Sequence, residues 1–69
     1  MLKIGDKVCT VGEPKVSFGT LKSGLRGVVT ELDTNNFTHI EGYGVRVMFD
    51  NGSLTEPIWF MNRELVFVE

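Results

Sequence analysis

Between residues 43 and 49 the chain reads Tyr-Gly-Val-Arg-Val-Met-Phe, which puts Val45, Val47 and Phe49 on one face of an extended segment and Arg46 and Met48 on the other. This period of two predicts a strand. Asp50-Asn51-Gly52-Ser53 follows, and Asn-Gly tolerates positive φ at both central positions of a type I′ turn, so a hairpin returning through residues 54–60 is expected. Upstream, Gly-Val-Val-Thr-Glu-Leu over residues 27–32 is β-branched and ends in the turn-forming cluster 33–36. Residues 7–11, entered from the turn-like Gly5-Asp6, and residues 65–68 supply two more strands, and residues 61–64 have the length of one 3₁₀ turn.

Nowhere do apolar residues recur at helical spacing over three turns, and eight glycines punctuate the chain. The fold class is therefore all-β. Five short strands in so short a chain hide their edges best by bending one sheet into a partly open barrel, with a 3₁₀ turn before the last strand. The predicted core comprises Val8, Val28, Val45, Val47, Phe49, Leu54 and Val66. Residues 12–23 and 33–42 form the two long loops, where binding is expected.

Counting across the hairpin exposes a conflict. A two-residue loop at Asn51-Gly52 sets Val47 opposite Glu56 and would drive a carboxylate into the core, while Pro57 cannot donate to a ladder. Regular pairing is thus predicted to break at Glu56-Pro57, turning Glu56 to solvent and carrying Trp59 to the inward phase. Trp59 and Phe60, being adjacent, must point to opposite faces.

The order strand, long loop, strand, loop, strand, hairpin, strand, 3₁₀ turn, strand resembles a Src-homology-3-like (SH3-like) barrel over nearly the whole chain, as a single domain spanning residues 1–69. Within it, Ile4-Gly5-Asp6-Lys7-Val8 and Ser23-Gly24-Leu25-Arg26-Gly27-Val28-Val29 are similar to the KOW motif of ribosomal and transcription-elongation proteins. Gly27 would then be the bend between loop and strand, where the missing Cβ and often a positive φ are needed. The interval from Val8 to Gly24 is longer than in that motif, and its abundant Lys and Arg are thin here. The Val-Arg-Val-x-Phe-Asp strand and closing Glu-Leu-Val also resemble the small stromal peripheral subunit of photosystem I, a docking protein.

The 69 residues carry seven Lys and Arg against nine Asp and Glu, a formal net charge of −2, so there is no overall basic excess for phosphate backbones. No stretch approaches the roughly 18 apolar residues of a membrane span or the core of a secretory signal, which reads as a cytoplasmic protein with no membrane partner and a reduced Cys9. Catalytic chemistry finds little raw material in one His and one Cys. A dyad of Cys9 and His39 is rejected in favour of a buried thiol and a solvated histidine. Segment 19–24 has the two glycines of a phosphate loop, yet Leu25-Arg26 stands where Lys and Ser or Thr are required and no helix follows. Residues 33–37 start like a calcium loop but put Phe37 at a ligand position. No tetrahedral zinc site of usual composition can be built in one chain. Catalytic, metal and cofactor sites are therefore expected to be absent.

What remains is a set of loop aromatics and cations, Lys15, Phe18, Lys22, Arg26, Phe37, His39 and Tyr43, of the kind that anchors protein interfaces or stacks on single-stranded nucleic acid. Phe18 and Phe37 have an equal claim to pin their own loops to the core. The expectation is a small non-enzymatic docking module for a protein partner. A KOW-like module for nucleic acid, ribosome or transcription machinery is the alternative, and homo-oligomerisation stays open because a chain this small has little core of its own.

Overall fold

The computed structural model describes residues 1–34, 42–50, 52 and 54–68. These residues are mostly extended. The elements are β1 (Lys7–Thr10), β2 (Lys15–Val16), β3 (Gly19–Thr20), β4 (Arg26–Asp33), β5 (Gly44–Phe49), β6 (Ile58–Met61), a 3₁₀ turn (Asn62–Glu64) and β7 (Leu65–Val68). Five strands form one antiparallel sheet in the order β6-β5-β4-β1-β7, and β2 and β3 pair separately within the first long loop. Neither sheet is closed, because β6 and β7 each pair along one edge only.

The inner face follows the alternation that β5 announces. Val45, Val47 and Phe49 are buried there with Val8, Val29, Phe60, Leu65 and, from the loop, Leu21. The rings of Phe49 and Phe60 meet edge to face, with centroids 5.7 Å apart. Edge-to-face contact sets the positive rim of one ring against the negative face of the other.

Register decides which of two adjacent valines enters the core. Gly27 lies opposite Phe49 and Val29 opposite Val47, so Val28 falls on the outer face opposite Met48. Val28 is half-buried, a correction to the predicted core. Gly27 takes the inward site because it has no side chain: an added Cβ would stand 2.6 Å from the Met48 carbonyl and 2.7 Å from Val47 Cγ1. Its φ is not positive; the left-handed residue in this stretch is Gly24, with φ +83°. Beyond Val29 the register slips, Glu31 pairing with Arg46 and Leu32 with Val45. Thr30 is the extra residue of this bulge, and its hydroxyl donates to the Arg46 carbonyl at 3.3 Å. The slip turns Leu32 inward, against the core.

Val66 is a second correction. It lies opposite Cys9 on the outer face and is 43% exposed, while Leu65 takes the core position. Leu54 is half-buried and packs on the edge of the core.

The break before β6 occurs, and with a different consequence. Val47 pairs with Ile58 and Val45 with Phe60, so Glu56 is exposed and the ladder resumes only at Ile58. Relative to the two-residue hairpin, the offset is two residues. An even offset keeps the phase: Phe60 faces inward and Trp59 outward, which corrects the expected inward Trp59. Asn51 and Ser53, and with them the turn type, lie outside the described residues.

The 3₁₀ turn connects β6 to β7 and is pinned to the residue before β5. The Asn62 amide donates to the Tyr43 carbonyl at 2.9 Å, and Asn62 Oδ1 accepts from the Tyr43 amide at 3.0 Å. Gly42, with φ +126°, packs so closely on this side chain that a Cβ would collide with Asn62 Oδ1.

Candidate functional site

The long loop after β1 folds into its own β2–β3 hairpin, held by Leu21, which is buried and donates its amide to the Pro14 carbonyl at 2.9 Å. Val16 packs inward against the core. Phe18, at the hairpin tip, is 63% exposed, so Val16 and Leu21 rather than Phe18 pin the loop.

Facing this hairpin is the irregular stretch that precedes and opens β6. Between Lys15–Phe18 on one side and residues 54–59 on the other lies a groove of about 740 Å³. Pro57 and Ile58 line it, and Trp59, 42% exposed, borders it on the β6 side. The charges on its walls cancel, Lys15 on the hairpin against Glu56 on the other side.

Trp59 is held from the sheet's outer face. The Arg46 guanidinium lies 5.9 Å from the centroid of the indole, and its Nη1 donates to Glu31 Oε1 at 2.6 Å. Direct cross-strand pairing sets Arg46 between the two, since it is opposite Trp59 on β6 and Glu31 on β4. A guanidinium held by a carboxylate and placed over a ring face attracts that ring by about 0.5–1 kcal/mol at an exposed site.

The predicted site residues do not all converge. Lys15 and Phe18 line the groove. Lys22 is exposed on the run into β4, and its carbonyl accepts the Thr10 hydroxyl. Arg26 opens β4 on the outer face, opposite Cys9, and does not line the groove. Tyr43 is half-buried in a separate hollow of about 540 Å³, where its hydroxyl oxygen accepts the Leu2 amide at 2.8 Å. Phe37 and His39 lie outside the described residues. The sequence reading missed Trp59, Pro57 and Glu56 as groove residues. Their mismatch with a regular hairpin was the available signal, since a segment that cannot join the ladder must stand beside it.

Cys9 is half-buried on the outer face rather than buried, between Val66 and Arg26. Among the described residues, no three His, Cys, Asp or Glu side chains cluster as metal ligands, and no helix is long and apolar enough to cross a membrane. Ser17 is the groove's one exposed hydroxyl besides Thr55, and neither is paired with a described base. What the groove offers is apolar contact, an exposed indole and two opposite charges.

No family model, no curated protein and no solved structure matches this chain.

Proposed function

We propose that this chain is a small, non-enzymatic docking module of SH3-like plan that binds protein partners through the groove between the β2–β3 hairpin and residues 54–59. The observation that carries the reading is the pair of exposed aromatics, Phe18 and Trp59, at a groove whose wall charges cancel. Exposed aromatics in a concave site are the usual anchors of protein recognition, because each buries much apolar area with few rotamers to freeze. The SH3-like plan is supported by a first strand lying between the last strand and β4, by the β4-β5-β6 meander, by a long loop after β1, and by a 3₁₀ turn before the final strand.

The KOW-like reading draws support from one observation, the left-handed Gly24 followed by exposed Arg26 where loop becomes strand. Against it stands the groove's charge balance, since binding to phosphate backbones rests on several unopposed cations.

Affinity capture from native lysate, with and without nuclease, separates the readings. Wild-type protein is expected to retain a partner through nuclease treatment, and Phe18→Ser is expected to lose it while melting normally. Loss of the partner on nuclease treatment, together with oligonucleotide binding that collapses as salt rises, would transfer the assignment to nucleic acid. Equal capture by Phe18→Ser would remove the groove from the argument.

A further inference from the structure

The strand that carries Trp59 has a paired neighbour on one side only, because β6 is an edge of the five-stranded sheet. Cross-strand contacts of its outward side chains therefore come from β5. Direct pairing sets Arg46 opposite Trp59, and one of the two diagonal neighbours, Gly44, has no side chain to offer. The guanidinium lies over the indole, 5.9 Å from its centroid.

Arg46 is itself aimed by the bulge in β4. Continued without a bulge, the register that pairs Val29 with Val47 would set Thr30 opposite Arg46 and turn Glu31 towards the core, opposite Val45. The extra residue shifts the pairing by one, and Glu31 comes out on the outer face opposite Arg46. Arg46 Nη1 donates to Glu31 Oε1 at 2.6 Å, and the Thr30 hydroxyl donates to the Arg46 carbonyl, so bulge and carboxylate both act on the same residue. Arg46 Nε is buried without an acceptor among the described residues. The carboxylate and the ring are thus the two contacts that orient the guanidinium.

We propose that Arg46 is the positioning residue of the groove: aimed by Glu31 across the Thr30 bulge, it holds the Trp59 indole in the orientation that borders the groove. The role rests on the groove being the docking site. A cation over an exposed ring favours that ring's place by a factor of about two to five. A partner that uses the indole then meets an anchor already oriented, and less side-chain freedom is lost on binding. The plainer account is a cross-strand ion pair that only stabilises the sheet, whose loss would lower the melting temperature and leave the indole's orientation unchanged.

Trp59 is the one tryptophan of the chain, so its side-chain signals are read without ambiguity. The test measures the χ1 rotamer populations of Trp59 from three-bond couplings in isotopically labelled protein, with a melting curve for each variant. Arg46→Thr, β-branched and suited to a strand, is expected to lower the ratio of the dominant rotamer to the others about two- to fivefold. Arg46→Lys keeps a cation and is expected to restore part of that ratio. Glu31→Gln is expected to lower it in the otherwise wild-type protein and to change nothing further beside Arg46→Thr, because Glu31 acts through Arg46. Unchanged populations in folded Arg46→Thr protein would overturn the proposal whatever its melting temperature, as would an effect of Glu31→Gln that persists without Arg46. Should Arg46→Thr fail to fold, Glu31→Gln decides alone, and wild-type populations in it overturn the proposal. No partner enters these measurements. Equal capture by wild-type and Phe18→Ser protein would defeat the docking reading alone, and rotamers indifferent to Arg46 would defeat the positioning role while leaving that capture test standing.

Discussion

The Thr10 hydroxyl donates to the Lys22 carbonyl at 2.7 Å, binding the end of β1 to the point where the first long loop rejoins the sheet. The same oxygen accepts the Leu25 amide at 3.0 Å, and the backbone of Thr10 exchanges bonds with Gly24 and Leu25. Thr10 is the one buried polar side chain among the described residues, and it is satisfied in both roles. The loop that carries Lys15 and Phe18 is therefore closed at its base by the Thr10 hydroxyl together with two backbone hydrogen bonds.

Thr10→Val keeps the shape and removes the bonds. It leaves the Leu25 amide without that acceptor in a part-buried site, at a cost of about 1–3 kcal/mol. For a domain of this size each kcal/mol lowers the melting temperature by roughly 4–8 °C. Thr10→Ser, which retains the hydroxyl, is expected to melt closer to wild type. A Thr10→Val protein that melts with wild type would show the bond to be energetically idle.

Val47 and Val66 have the same side chain and opposite fates. Val47 is fully buried between Val29 and Ile58 in the cross-strand register, while Val66 is largely open on the outer face. Removing two buried methyl groups and leaving a cavity is expected to cost Val47→Ala about 2 kcal/mol or more, a melting shift of roughly 10 °C. Val66→Ala should stay within about 0.5 kcal/mol of wild type, as surface changes do. Thermal unfolding of the two proteins side by side checks the register directly, because equal losses would contradict it.

The same contrast shows where the sequence was readable. Alternation in β5 named Val45, Val47 and Phe49 correctly, since a period of two over seven residues admits one inward set. It could not choose between Val28 and Val29, or between Leu65 and Val66, because adjacent apolar residues carry no phase of their own. Their phase comes from pairing: Gly27 is inward because Phe49 needs the space, and Leu65 because Cys9 holds Val66 outside. The Thr30 bulge was illegible for the same reason, as nothing in Val-Val-Thr-Glu-Leu marks an extra residue. Glu56-Pro57 was legible as a break, since a carboxylate opposite Val47 is costly, but its length was not. The groove followed from that length, which is why Phe18 was named as a candidate from the sequence and Trp59, which also lines the groove, was not.

Glu64 is expected to protect the sheet's open edge. Because Asn62 bonds Tyr43 through the backbone, alternation makes Val45 with Phe60 and Val47 with Ile58 the hydrogen-bonded pairs, and turns the amides of Trp59 and Met61 towards the free side of β6. Glu64 Oε1 accepts the Met61 amide at 2.8 Å and so closes half of that edge. The strand it guards, Ile-Trp-Phe-Met, has no charge to discourage pairing with another chain. Glu64→Ala should lose about 1 kcal/mol of stability and, by freeing the Met61 amide beside that of Trp59 on an apolar edge, scatter light increasingly as concentration rises. Glu64→Gln keeps an acceptor at the same reach and should show no such rise in scattering. If both variants associate alike, the charge of Glu64 rather than its bond to Met61 is what keeps the edge apart from other chains, and the edge-capping account fails.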